Sequence, residues 1–311
     1  MSNVLITGGG GFIGLALAES IAARGDIAVA FDVAFPVNRT PSPRLQFVRG
    51  DVTDTAGVIA AVRKYDIHRV IHAAAIVGIA PSAEMATTVI RVNVEGSINV
   101  FEAARIHGVS RVIHMSSEEV YGEYATPIVD EGSPTFPQMP YGATKLATEH
   151  FSRAWRNMYG LEVINLRIAC VYGPRLPRAR IPKILVDAVA AQQELHLPEG
   201  GDSPMDHTYV DDIVAGTLAA LDHPTHPFDV YNLGTGSAPT VFDVVAVLKE
   251  IVPTARISVG PGEIKHPGGY AMPRKGALNS QRAANVFGYR PRFDLRAGLS
   301  AYLASVKRET G

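Results

Sequence analysis

The segment Val4–Gly14, VLITGGGGFIG, constrains this chain more than any other stretch. Val4, Leu5 and Ile6 form an uninterrupted apolar run, the pattern of a short strand covered on both faces in a parallel sheet. Thr7 and four glycines follow, and a helical apolar pattern then runs from Phe12 to about Arg24. A strand that breaks on glycines and resumes as a helix directs backbone N–H groups and the positive end of a helix dipole at one point. A pyrophosphate fits that point. Gly8 supplies the tight turn, Gly11 the close phosphate approach and Gly14 the helix–strand contact. Glycine spacing alone is weak evidence, because a structural turn produces it too. Here a second strand is expected at Ile27–Phe31, and Asp32 ends it 18 residues beyond Gly14. A carboxylate there accepts both hydroxyls of an adenosine ribose and repels a 2′-phosphate, which favours NAD over NADP. Arg39, a few residues on, is a group that would tolerate the phosphate.

Strands and helices then alternate. Strands are expected at 45–48, 69–73, 111–115 and 162–166, and helices at 56–65, 84–107 and 142–159. Strict alternation implies an α/β fold: a Rossmann-type, doubly wound parallel sheet with right-handed crossovers and helices on both faces. Ligands of such sheets sit at the carboxyl ends of the strands, where Asp51, Ala73, Ala74, Ala75 and Ser116 fall. After Gly173-Pro174 prolines and glycines become denser, with helices expected at 181–191, 211–222 and 241–251 and a strand at 230–233. The expected division is a cofactor domain over 1–173 and a smaller, mixed substrate-binding region over 174–311, from which segments such as 208–233 return to the first. Gly260–Lys275 is rich in glycine and proline and reads as a lid over a substrate.

A length of 311 residues supports a full core. With 19% charged residues and a net charge of −1, nothing draws the chain to nucleic acid or an anionic membrane. No apolar run reaches transmembrane length, and the N-terminus reads as a strand instead of a signal peptide. Cys170 is the only cysteine, so no intrachain disulfide forms and a reducing compartment, the cytoplasm, is expected. As a nucleophile Cys170 lacks a neighbouring base, and it reads as a small buried residue. The histidines are scattered without ligand spacing, so no metal is expected.

Two segments carry the chemistry: Ser116–Gly122, SSEEVYG, after the fifth strand, and Tyr141–Lys145, YGATK, opening a helix. Tyr and Lys four residues apart share a helix face. A nearby ammonium favours the phenolate, so Tyr141 is expected to titrate well below about 10. Such a tyrosine takes the proton of a secondary alcohol while its carbon gives hydride to a nicotinamide, and Ser117 holds the alcohol oxygen.

With these motifs the chain resembles the extended short-chain dehydrogenases/reductases, in their NAD-dependent sugar epimerase/dehydratase branch. The resemblance spans nearly the whole chain: TGGGGFIG at 7–14, DV at 51–52, HAAA at 72–75, VNVEG at 92–96, SSEEVYG at 116–122, YGATK at 141–145 and TYVDD at 208–212. It implies Tyr141 and Lys145 as catalytic residues, with Ser117 orienting the substrate. It also implies an NAD site of Gly8, Gly11, Phe12, Ile13, Gly14, Asp32, Asp51, Val52, Ala73–Ala75, Asn93, Ser116, Tyr141 and Lys145. His72 is scaffold in this family. Members that eliminate water or CO₂ carry acids at the positions of Glu118 and Glu119, so Glu119 is a candidate base for that step. The family usually dimerises through two long helices, here about 84–107 and 142–159, and a homodimer is expected.

Three positions depart from the family pattern. Cys170 stands where an asparagine precedes Val-Tyr-Gly-Pro, Met205-Asp206 where Arg-Asp is common, and His266-Pro267-Gly268 where Arg-Pro-Gly is usual. Losing two charge-assisted phosphate contacts costs several kcal/mol of affinity, on the order of 2 to 3 each. Arg175, Arg178, Arg180, Lys183 and Arg274 either compensate or bind the carboxylate of a smaller substrate, such as a sugar acid or hydroxy acid. Ser117, Glu118, Cys170, Arg175, Arg180, His207 and Arg274 are the candidate substrate contacts. The resulting expectation is an NAD-dependent epimerase or dehydrogenase acting on a sugar-like small molecule. Two alternatives stand beside it: a nucleotide-sugar dehydratase or decarboxylase using Glu119, and a non-catalytic NAD-binding regulator.

Overall fold

The computed structural model describes residues 2–37, 40–78, 84–265 and 272–310; Arg39 and the His266-Pro267-Gly268 segment lie outside them. Seven parallel strands form the main sheet: β1 (Asn3–Thr7), β2 (Ile27–Asp32), β3 (Leu45–Arg49), β4 (Arg69–His72), β5 (Arg111–Ser117), β7 (Val163–Ile168) and β11 (Val230–Leu233). Their order across the sheet is β11-β7-β5-β4-β1-β2-β3. Leu5 lies opposite Val29 on one side and Val70 on the other, and all three are fully buried. Helix α1 (Phe12–Ala23) covers one face, where Leu17 and Ile21 join the core. Helices α2 (Thr55–Lys64) and α4 (Gly96–Ile106) cover the other through Val58, Val62 and Phe101.

The chain runs outward from β1 through β2 to β3, then returns to β4 on the opposite side of β1. The loops leaving β1 and β4 therefore diverge, and a crevice opens between them.

The helix expected over 84–107 is interrupted. α3 (Ala86–Ile90) and α4 flank a π-helical turn, Arg91–Glu95, which carries Asn93. The widened turn accompanies an inward commitment of Asn93, whose amide holds the Ile76 backbone and the Thr144 hydroxyl. α5 (Pro140–Tyr159) begins two residues earlier than expected, with Pro140 in its first turn where no N–H is needed. This places Tyr141 in the first turn.

In the second half, α7 (Val210–Asp222), following α6 (Lys183–Ala190), packs on the main sheet, and β11 closes the sheet edge against β7. Three two-stranded ladders were not legible as strands: β8 (Cys170–Tyr172) with β10 (His207–Tyr209), β9 (Leu195–Leu197) with β12 (Ile257–Val259), and β6 (Ile128–Val129) with β13 (Ala277–Leu278). Strands of two or three residues leave no periodicity to read. The β6–β13 ladder matters most here, because it brings Lys275 against the turn that follows β5. Two late helices, Gln281–Phe287 and Leu295–Thr310, also went unassigned, although Leu299, Tyr302 and Leu303 of the second pack into the core at helical spacing.

Candidate active site

One cleft of about 1120 Å³ runs from the glycine loop, past Tyr141, to the wall formed by residues after Gly173. At its sheet end Gly8 has φ +69°, and a Cβ there would sit 2.6 Å from the Ala74 nitrogen. A Cβ on Gly14 would lie 2.0 Å from the Gly8 oxygen, so only glycine lets α1 start against the loop. Above Gly11 the situation reverses. A Cβ there would find only the Gly8 oxygen, at 3.2 Å, because the remaining space is the cleft. That open cradle at a helix N-terminus fits a dinucleotide pyrophosphate. Asp32 lines the same groove, and its Oδ2 accepts from the Gly10 N–H at 2.9 Å. Phe12, Ile13, Asp51, Val52 and Ala73–Ala75 complete the wall.

Asn93 stands behind that wall. Its side chain accepts from Ile76 N–H at 2.8 Å and donates to Ile76 O at 3.0 Å and to Thr144 Oγ1 at 3.1 Å. It therefore fixes the post-β4 loop to the helix that carries Tyr141. His72 is likewise internal, bonded to Thr7 Oγ1 at 2.6 Å and Ser97 Oγ at 2.8 Å, and burial drives it down to about 3.

At the centre, Ser117 ends β5 and caps the 3₁₀ turn Glu118–Tyr121, its Oγ accepting from Glu119 N–H at 3.2 Å. Ser117 and Tyr141 both line the cleft, and the Ser117 hydroxyl favours the phenolate form of Tyr141. Lys145 is buried and donates to the Met115 carbonyl at 2.7 Å; its Nζ is 5.9 Å from the Tyr141 ring centre. Burial lowers this ammonium to about 8, against the pull of Glu149. The expected depression of Tyr141 is not what the structure shows. Burial pushes the phenol up to about 12. The Ser117 hydroxyl and the guanidiniums of Arg178 and Arg180 oppose that rise, and Glu119 reinforces it. Two cations of the substrate wall thus act on the phenol, where the sequence pointed to Lys145.

Ser116 lines the cleft but gives its hydroxyl to Glu149 Oε1 at 2.6 Å. Glu149 is fully buried and takes a forked bond from Arg167 at 3.0 and 2.7 Å. Neither residue of this ion pair was singled out from sequence; Glu149, four residues after Lys145 on the same helix face, was the available signal.

On the substrate side Glu118 is buried, and its Oε2 accepts from the Tyr124 hydroxyl at 3.0 Å. Burial raises this carboxyl to about 7, opposed by Lys275 and reinforced by Glu119 and Asp206. Glu119 is paired with Lys275, Nζ to Oε2 3.0 Å, and Lys275 also donates to Gly122 O at 2.9 Å. Lys275 lines the cleft and was not among the sequence candidates. Cys170 is buried with Arg180 donating to its sulfur, and burial pushes the thiol up. Arg274 lines the rim, 3.5 Å from Glu263.

Two of the candidate substrate contacts are absent from the cleft wall. Arg175 forks onto Glu19 of α1 at 3.0 and 2.9 Å. His207 is buried in the β8–β10 ladder with its ring 6.1 Å from that of Tyr172, and burial and then Arg180 hold it down at about 3. Among the described residues no group of three or more His, Cys, Asp or Glu is placed to hold a metal ion.

Residues 4–234 match the model of the NAD dependent epimerase/dehydratase family. The chain is 30% identical over 310 residues to the UDP-glucose 4-epimerase of Mycolicibacterium smegmatis, with 96% of each chain covered. The crystal structure of UDP-glucose 4-epimerase with UDP-glucose from Thermotoga maritima superposes with a TM-score of 0.89 at 27% identity, covering 99% of this chain and 100% of that one. The UDP-glucuronic acid 4-epimerase of Bacillus cereus, in complex with UDP-glucuronic acid and NAD, gives 0.86 at 26% identity with 99% of both chains covered. A glycine cradle at the switch point of the sheet, Ser117 and Tyr141 in one cleft beside Lys145 and a match over most of its length place the chain in the NAD-dependent epimerase/dehydratase family.

Proposed function

We propose that this protein binds NAD along the glycine loop, Asp32 and Ala73–Ala75, and oxidises a secondary alcohol of a sugar-like small molecule. Ser117, Tyr141 and Lys145, brought together in one cleft with the glycine cradle and a basic wall, carry this reading. Ser117 holds the alcohol oxygen and Tyr141 takes its proton. Lys145, anchored on Met115, supplies positive charge behind the phenol. NAD held there would supply the hydride acceptor for the alcohol carbon and, in an epimerase, the donor for its return to the other face. The relatives favour epimerisation; net release of NADH is the dehydrogenase branch of the same chemistry.

Elimination through Glu119 is a second reading, supported by its place in the cleft. Its carboxylate lies 3.0 Å from the Lys275 ammonium, so a proton-accepting role requires that pair to open. A purely regulatory role is disfavoured by the retained Ser117, Tyr141 and Lys145. Exposed Ile90, Ile106, Phe151 and Met158 on α3, α4 and α5 support a homodimer through these helices. Among the described residues no helix is long and apolar enough to cross a membrane. The single cysteine suits a reducing compartment, and we place the protein in the cytoplasm.

The test incubates the protein with NAD and UDP-sugars, free hexoses, uronic acids and aldonic acids, following NADH absorbance and product NMR. Tyr141→Phe is expected to lower turnover by about 10²- to 10⁴-fold while NAD binding stays within about twofold. Turnover that survives in this variant sinks the mechanism.

A further inference from the structure

The cations on the substrate side of the cleft are not equivalent. Lys265 is paired with Glu199 at 2.6 Å, Arg274 with Glu263 at 3.5 Å and Lys275 with Glu119 at 3.0 Å. Arg178 and Arg180 line the same cleft, yet among the described residues neither has a carboxylate partner. Arg178 donates to the Val77 carbonyl at 2.9 Å, and Arg180 donates to the sulfur of Cys170. Both are partly withdrawn from water, and each repels the other. Glu118 and Glu119 attract Arg180 only from beyond ion-pair distance, and they are engaged by Tyr124 and Lys275. A guanidinium removed from water without a counter-ion is unfavourable, and two side by side more so. The arrangement is completed by an anion.

The position of the pair says which anion. Arg180 is held on Cys170, two residues beyond Ile168, the strand-end partner of Ser117, and both guanidiniums line the cleft with Tyr141 and act on its phenol, so what they hold lies on the reacting side of the substrate. A diphosphate on the anomeric carbon of a pyranose stands across the ring from C4, away from an alcohol oxidised there. A carboxylate on a carbon neighbouring the reacting alcohol meets the requirement, and its two oxygens match the guanidinium fork.

We propose that Arg178 and Arg180 form a carboxylate-binding subsite beside Tyr141, and that the substrate of this protein is a sugar acid. The inference rests on the proposed function and names the substrate class for its site. Cys170 contributes by leaving its sulfur against Arg180, which fixes one face of that guanidinium without neutralising it.

The test separates binding from turnover. Calorimetry on NAD-saturated Tyr141→Phe protein compares D-glucuronate with D-glucose, and UDP-glucuronate with UDP-glucose. In at least one pair the acid is expected to bind about 10- to 100-fold more tightly than its neutral counterpart. Arg178→Gln and Arg180→Gln, each made in that background, are expected to bring the acid to the neutral level. NAD affinity reports that each variant is folded, and the two variants act independently should one fail that check. Equal affinities within both pairs, or no binding of either acid, overturn the proposal. Variants that weaken UDP-glucose and UDP-glucuronate alike assign the guanidiniums to the diphosphate and overturn it too. Should acid preference hold while wild-type protein turns over none of the four compounds, the subsite stands and the proposed reaction falls.

Discussion

The ammonium nitrogen of Lys145 stands 2.7 Å from the main-chain oxygen of Met115 and 5.9 Å from the centre of the Tyr141 ring. Lys145 is thus tied to the strand that ends in Ser117, and it registers helix α5 against β5. The charges pressing hardest on the phenol are Arg178 and Arg180, toward the phenolate, and Glu119, against it.

The pH dependence of the reaction follows from these two groups. In the proposed reaction Tyr141 works as phenolate, with the free phenol near 12, and Lys145 as ammonium, near 8. Below about pH 8 each unit of pH raises the phenolate fraction tenfold with the ammonium intact. Above it the ammonium declines as the phenolate grows. Log kcat/KM for oxidation is therefore expected to climb with a slope near 1 up to about pH 8 and then flatten. Initial NADH rates at low substrate measure this, and a flat profile from about pH 6 to 8 rules out Tyr141 as the base.

Asn93 joins the cofactor wall to the catalytic helix through three hydrogen bonds, without itself lining the cleft. Asn93→Ala leaves the Ile76 backbone groups without that partner and frees the Ala73–Val77 loop. NAD affinity is expected to fall by about 10-fold, equivalent to roughly 1.4 kcal/mol. Fluorescence titration with NAD checks it; an unchanged Kd removes Asn93 from the cofactor side of the site.

The Glu149–Arg167 pair is buried on both partners. Truncating one side strands the other charge, so Glu149→Ala is expected to cost about 3–5 kcal/mol in urea unfolding. The same change removes the carboxylate that holds the Lys145 ammonium up, so the break in the pH profile should move to lower pH. A loss of stability under about 1 kcal/mol would mean that Arg167 finds another partner.

Glu118 links pH to stability in the ligand-free protein. Its carboxyl titrates near 7 in the folded chain against an ordinary value of 4.5, so the native state holds this proton more tightly. That contribution is complete below about pH 4.5 and is lost as pH rises through about 7, amounting to on the order of 3 kcal/mol. Glu118→Gln keeps the neutral form throughout and can still accept from Tyr124. Thermal melts should show the variant more stable than wild type at pH 8, with the difference vanishing near pH 4.5. Equal stability at pH 8 contradicts the buried, raised carboxyl.

How far the sequence reached differs by element. The glycine run, Asp32, Ser117, Tyr141 and Lys145 were legible because their chemistry is local: a turn, a strand end and an i,i+4 spacing fix where each group points. The parallel sheet was legible for a related reason, since strands covered on both faces read as continuous apolar runs. The three short ladders were not, and with them went the approach of Lys275 to Glu119 across 156 residues of sequence. Arg175 and Arg180 stand five apart in one basic stretch, and nothing local separates them. Only the tertiary structure turns Arg175 to Glu19 and leaves Arg180 beside Cys170.

The titration of Tyr141 marks the same boundary. Spacing put a lysine on its helix face and implied a depressed phenol. Burial outweighs that, because the energy of a charge depends on the dielectric and on every charge around it, including those brought in by distant segments. The sequence by itself determined the parallel sheet, the glycine turn and the strand-end and helix-face positions of Ser117, Tyr141 and Lys145, all set by patterns within a few residues. Which cations line the cleft, and how strongly they act on Tyr141, was decided only where the chain after Gly173 folds back over the cleft.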